Sequence, residues 1–226
     1  GYRAAQSVTG AGDTIMGYNA AYSMTTGDQN VTIGYQAAYT NTGSGNCTSI
    51  GYQADYFGSG TRRTCVGANT LSAATLSSAT DGSIDCVAMG YGALLKNQGG
   101  NNTAIGSLCG DAITTGAGNT AVGKSALSAE TSGSNNTCVG LNAGANIAGG
   151  SNNTAIGNEA GETGSPGGSI GGGSNAVAIG DENVAEAHIQ VDWTIASDKR
   201  DKTDISPLDL GLEFINKLEP VTYRWD

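Results

Sequence analysis

The chain has 226 residues, with 37 glycines against two phenylalanines and three prolines, and a formal charge of −10. Glycine at this level without a three-residue period or abundant proline excludes a collagen triple helix, and apolar residues returning at a fixed phase exclude general disorder. Twenty acidic against ten basic residues argue against nucleic acid as a partner, and no apolar run approaches the ~18 residues of a membrane-spanning helix.

From the first residue the chain repeats itself. Aligned on the Gly that follows Ile, Val or Met, the phrases fall at Gly17, Gly34, Gly51, Gly67, Gly90, Gly106, Gly123, Gly140, Gly157 and Gly180, and Gly1 joins them because GYRAA matches GYNAA and GYQAA. The intervals are 16, 17, 17, 16, 23, 16, 17, 17, 17 and 23 residues. Repetition this regular marks a solenoid. Each phrase reads roughly N-x-T-A-(I/V)-G-x-x-A before a polar stretch. Thr or Val, a small residue, then Ile, Val or Met is the alternation of a strand, and the Gly suits a corner with positive φ.

The apolar residue before each Gly (Met16, Ile33, Ile50, Val66, Met89, Ile105, Val122, Val139, Ile156, Ile179) reads as the core column, with a second small column three residues past the Gly, from Ala4 to Ala160. One coil of two short strands per phrase, stacked in parallel at ~4.8 Å, gives an all-β class: a parallel β-roll or β-solenoid of about eleven rungs of 16–17 residues over residues 1–180. So little apolar area per rung struggles against chain entropy. The thin interior therefore predicts that further apolar surface is buried against copies of the chain.

Phrases such as NNTAIG and SNAVAIG resemble the left-handed β-roll heads of trimeric bacterial adhesins (YadA-like heads) and the repeats of phage tail fibres. The resemblance implies a homotrimer.

Eight of the nine tyrosines keep the register: Tyr2, Tyr18, Tyr35, Tyr52 and Tyr91 follow a repeat Gly, and Tyr22, Tyr39 and Tyr56 lie four positions on. They are either stacking ladders or, along Tyr2, Tyr18, Tyr35 and Tyr52, a sugar-binding strip. The two long intervals place insertions near residues 71–85 and 162–175; the second, with TGSPGGSIGGGS, reads as a flexible excursion. The cysteines Cys47, Cys65, Cys86, Cys109 and Cys138 stand where other phrases have Ala, Thr or Asn, and read as small packing residues. Same-phase pairs lie two or more rungs apart, beyond disulfide reach. With no C-x-x-C and one histidine, His188, neither metal nor cofactor is expected. The Asn-x-Thr sequences at Asn30, Asn46, Asn101, Asn135 and Asn152 read as by-products of the repeat, with their amides in register to form a ladder.

After Gly180 the rhythm stops. HIQVDWTIA alternates as a connecting strand within residues 181–196. Ser206 and Pro207 then open a helix striped by Leu208, Leu212, Ile215 and Leu218, and Val221, Tyr223 and Trp225 begin another strand. The chain opens inside a repeat and stops inside this small α+β unit, as a segment of a longer polypeptide would. Ser197-Asp198-x-Arg200-x-Lys202, Ile205 and L-x-x-I-x-x-L-x-P-V-x-Y-x-W from Leu212 to Trp225 resemble the start of the endosialidase-type intramolecular chaperone (peptidase S74) of phage tail spikes and fibres. The resemblance implies a domain, begun over residues 197–226, that assists trimer assembly and then cleaves the chain before Ser197, with Ser197 as nucleophile and Lys202 as its activating base. Asp201 departs from the apolar residue usual before that Lys, and its carboxylate favours the charged amine over the neutral base.

These features together read as a structural and attachment protein: the distal rod of a phage tail fibre in the virion, contacting a host-surface glycan or protein receptor without entering the membrane. The alternatives are a bacterial trimeric surface adhesin, which would run into a stalk and anchor, and a polysaccharide-degrading tail spike. The spike needs paired carboxylates in a cleft, whereas Asp13, Asp28 and Glu130 are scattered among turns.

Overall fold

The computed structural model describes residues 1–58, 60–72, 83–165, 168–186 and 188. Gly1–Ala185 form one compact unit, which carries every described strand. The helix and strands expected after residue 188, with most of the connecting segment, lie outside the described residues.

The unit is a parallel β-solenoid. Ten strands of three residues, β1 (Thr14–Met16), β2 (Val31–Ile33), β3 (Thr48–Ile50), β4 (Thr64–Val66), β5 (Val87–Met89), β6 (Thr103–Ile105), β7 (Thr120–Val122), β8 (Thr137–Val139), β9 (Thr154–Ile156) and β10 (Val177–Ile179), pair in chain order into one parallel sheet. Register holds at every step, with Thr103 opposite Thr120 and Ile105 opposite Val122. Nine steps of ~4.8 Å make a stack of about 43 Å. The first phrase adds no strand, only a turn, whose Tyr2 carbonyl accepts from the Asn19 N–H at 2.9 Å. Both insertions leave the stack intact: β4 pairs directly with β5, Thr64 against Val87, and β9 with β10, Thr154 against Val177.

Two expectations are corrected. Each described rung has one strand, not two. The small column after the Gly lies in a turn, flanked by residues in the left-handed region: Gln36 and Ala38 at φ 52° and 49° around Ala37, Ser125 and Leu127 at 54° around Ala126. A third left-handed column precedes the strands, at Asn101, Asn135 and Asn152 (φ 59–60°). Each such residue costs roughly 1–2 kcal/mol when it is neither glycine nor asparagine. The twist, however, aims its N–H along the stack: Gln36 donates to the Tyr18 carbonyl, Ala38 to Ala54 and Asn135 to Ala117, at 2.9–3.0 Å. Backbone pairing thus continues through the turns and offsets the strain.

The second correction concerns which strand residue faces inward. The middle residues Cys65, Ala88, Ala104, Ala121, Cys138 and Ala155 are buried, while Ile105 and Ile156 point out, 39% and 44% exposed. A coil this narrow has room only for small side chains on its inner strand face. The corner glycines explain its closeness. Gly67 has φ +135°, and a Cβ there would sit 2.6 Å from the Gly90 carbonyl oxygen; the column stacks glycine on glycine from rung to rung.

Each rung accommodates few bulky groups inside. Leu71, Leu94 and Leu127 supply one from four residues after the corner Gly; where that place is Gly110 or Gly144, Ile113 or Ile147 supplies it from three residues further on. In the second insertion, Ile170 packs on the core, and a Cβ at Gly161 would meet its Cδ1 at 2.8 Å. That insertion therefore contributes to the core and is no free excursion there.

The residue just before five of the ten strands is a buried Asn that ties successive rungs together. Asn102, Asn119 and Asn136 each accept through Oδ1 from the backbone N–H of the next rung's counterpart (Asn119, Asn136, Asn153) at 2.8–3.0 Å. Each donates through Nδ2 to a turn carbonyl of Gly116, Gly133 or Gly150 at 2.8–3.0 Å. Of the Asn-x-Thr asparagines only Asn30 belongs to this buried ladder; Asn46, Asn101, Asn135 and Asn152 are exposed. In the NNT phrases the second Asn is the structural one.

Candidate functional site: two outward columns and a tyrosine ladder

A continuous side of the sheet presents Thr or Val at the first strand position and Ile, Val or Met at the third. The third column runs the length of the stack, from Met16 (58% exposed) through Met89 and Ile105 (39% each) to Ile179 (53%). No described side chain of the unit covers it fully. An unbroken apolar column on an otherwise polar coil marks a contact surface.

Around the glycine corner stand the tyrosines. Tyr2, Tyr18, Tyr35 and Tyr52 form one ladder, with ring centroids 5.3, 5.2 and 5.4 Å apart and planes within 15°. Tyr22, Tyr39 and Tyr56 form a second, at 5.1 and 5.0 Å, closed by Phe57 tilted at 60° to Tyr56. The stacking ladders expected from the register are therefore present. Near-parallel rings in contact at these centroid distances are offset stacks, overlapping like shingles. The first ladder stays 44–60% exposed; the second is half-buried. Beside the first ladder runs a column of amides, where Gln53 Nε2 donates to Gln36 Oε1 at 2.9 Å, and the Arg3 guanidinium lies 5.2 Å from the Tyr2 ring centre.

The ionisable groups inside the coil are structural. Arg63 takes a place in the asparagine column, and its Nη2 meets Asp55 Oδ2 at 2.8 Å with both side chains fully buried. Ser49 and Ser83 hydrogen-bond the same pair. A Cβ on Gly58 would collide with both the carboxylate and the guanidinium, so the glycine makes room for them. Glu130 is fully buried, and its Oε1 accepts from the backbone N–H groups of Thr131, Ser132, Gly133 and Gly149 at 2.5–3.0 Å. Neither group was singled out for burial by sequence reasoning, since a lone Arg or Glu in a polar turn reads as solvated. The register carried the signal: Arg63 immediately precedes a strand, at the buried-asparagine position.

All five cysteines are free thiols and buried, in line with packing residues. Burial pushes the thiols of Cys109 and Cys138 up to about 12, and raises that of Cys47 despite the neighbouring Arg63 guanidinium. Ser197 and Lys202, the residues of the expected self-cleavage, lie outside the described residues.

Fold and surface together define a β-solenoid whose exposed chemistry is apolar along one side and aromatic near one end. Residues 197–226, the stretch that carries the serine–lysine signature, match the family model described as chaperone of endosialidase (peptidase S74). The match suggests a protein associated with phage tail fibres or spikes. No curated protein and no solved structure matches the chain.

Proposed function

We propose that this chain is the distal rod of a phage tail fibre: a homotrimeric structural protein that presents a host-adhesion surface and passes at its C-terminus into an assembly chaperone. The observation that carries the reading is the outward apolar column of ten rungs on a coil too thin to hold a large core. Fully burying a Val, Ile or Met side chain is worth about 1.5–3 kcal/mol, so covering these half-exposed residues recovers roughly half of that at each rung. A closed symmetric association serves this column best, because parallel copies meet in register at the same level of every rung. The chaperone match supports the viral reading over the bacterial adhesin, since such chaperones serve assembly of the fibre they terminate.

Solution molar mass tests this directly. Light scattering on the purified chain is expected to give three times its 22.5 kDa mass, independent of concentration in the micromolar range. A mass of 22.5 kDa sinks the trimer. A retained trimer without adsorption to any bacterial surface removes the adhesive role and leaves the structural one.

A further inference from the structure

The first tyrosine ladder is more than the fold needs. The same position after the corner Gly is filled by Ser107, Lys124, Leu141 and Asn158 in later rungs. There the backbone keeps its course: the corner glycines hold φ between 118° and 142°, and Leu108 and Asn142 still donate to the preceding rung at 2.8 and 3.0 Å, as Gln36 does in the tyrosine region. Packing therefore does not explain why four consecutive rungs carry Tyr at this place.

We infer that the ladder Tyr2–Tyr18–Tyr35–Tyr52, with the Gln36 and Gln53 amides beside it, is a binding strip for an extended, uncharged glycan. This rests on the adhesive reading above and names its site and ligand class. Offset stacking leaves part of each ring outside, so the strip repeats one aromatic surface and one phenol hydroxyl at each 5.2–5.4 Å step. A linear polysaccharide repeats its apolar C–H faces and hydroxyl groups in the same way. The rings accept the C–H faces, and the phenols and amides exchange hydrogen bonds with the hydroxyls. Charge selects the class. Over residues 1–58 the only basic side chain is Arg3, against Asp13, Asp28 and the buried Asp55, so a polyanionic glycan finds one cation, beside Tyr2 at the end of the strip, and none along the rest of it. The apolar strand face lies on the other side of the glycine corner. Copies of the chain seated there leave the phenol column to another ligand.

Titration calorimetry of the full chain tests the strip, using neutral glucose, mannose and N-acetylglucosamine hexasaccharides and an oligosialic acid of similar length. At least one neutral hexasaccharide is expected to bind saturably and the oligosialic acid not to bind. Tyr18→Ala combined with Tyr35→Ala should weaken that binding roughly tenfold or more, two aromatic contacts being lost. Tyr22→Ala with Tyr39→Ala, in the half-buried second ladder, should leave it within about twofold. The inference is overturned by absence of binding to all neutral probes, by preference for the oligosialic acid, or by binding indifferent to Tyr18 and Tyr35. It is also overturned if the Tyr18/Tyr35 variant alters the molar mass, because the ladder is then an interface between copies. A trimer that ignores all the sugars removes the strip alone; a monomeric parent chain removes the trimer instead.

Discussion

The asparagine ladder gives the sharpest test of how the repeat holds together, because adjacent residues of one phrase have opposite surroundings. Asn136 is buried: its Oδ1 accepts from the Asn153 N–H at 3.0 Å, and its Nδ2 donates to the Gly150 carbonyl at 2.8 Å and to Asn119 Oδ1 at 3.1 Å. Asn136→Ala strips a partner from a backbone donor and a backbone acceptor inside the coil. Each group so deprived costs about 1–3 kcal/mol, so the loss is about 2–6 kcal/mol. Asn135 is exposed, at φ 59°, with its own N–H bonded to Ala117. Asn135→Ala retains that backbone bond and adds only left-handed strain of about 1 kcal/mol, and Asn135→Gly removes the strain.

Urea unfolding followed by far-ultraviolet circular dichroism, at one fixed protein concentration because any association adds to stability, should rank the variants. Asn136→Ala is expected far below the parent, Asn135→Ala slightly below it and Asn135→Gly level with it. If Asn135→Ala costs as much as Asn136→Ala, the ladder does not bind the rungs, and the strand pairing alone carries the stack.

Four further outcomes are expected. Gly123→Ala places a Cβ against the Gly140 carbonyl at φ +133° and should cost about 3 kcal/mol or more, read as a lowered melting temperature; an unchanged melting temperature contradicts the stacked corner. Ile105→Asp with Val122→Asp puts carboxylates into the apolar column and should convert trimer to monomer by light scattering, while circular dichroism retains the strand signal if the coil persists. For Cys109 and Cys138 the folded pKa of about 12 stands above the ordinary thiol value of 9.0. Their contribution is complete below pH 9 and is lost as pH rises toward 12, at about 1.4 kcal/mol per pH unit for each thiol. A double Cys→Ala variant should show a shallower decline over that window, and an equal decline refutes the assignment. Finally, if the serine–lysine resemblance carries over, the expressed chain runs short on a denaturing gel and Ser197→Ala restores full length; identical bands remove self-cleavage.

The fold was legible because its period is a steric requirement: a missing Cβ at every corner cannot be replaced, so glycine marks each rung. The inward face was misread for an equally physical reason. Alternation says that Thr, Ala and Ile take opposite sides of a strand, and ordinary cores favour Ile. Here Ala104 is inside and Ile105 outside because the space behind the strand admits only small groups there, a limit the sequence shows only through a middle column that is small in nine of the ten strands. The second strand was inferred from the 16–17-residue length of the phrase, but left-handed Gln36, Ala38, Ser125 and Leu127 turn the chain there and leave no compositional trace. In NNT, likewise, only stacking decides that Asn102 is buried and Asn101 exposed. Of the surface features, the tyrosine register was visible at once, whereas the depth of Arg63 showed only through its place in the asparagine column and that of Glu130 needed the coil itself.

The way each rung fills its interior would let such a chain gain or lose rungs without loss of fold. A leucine four residues past the corner, or glycine there with isoleucine three further on, gives much the same packed volume. Each rung is thus satisfied by its own residues and its two neighbours, the nearest-neighbour logic of repeat proteins. The insertions obey the same condition: β4 and β5 remain paired across one, and Ile170 returns from the other to fill the place beside Gly161. What one rung does not satisfy alone is its outward Ile, Val or Met. That deficit recurs at every level, so lengthening the stack lengthens the exposed apolar column with it. Under the proposed trimer, assembly and length are coupled through that single column.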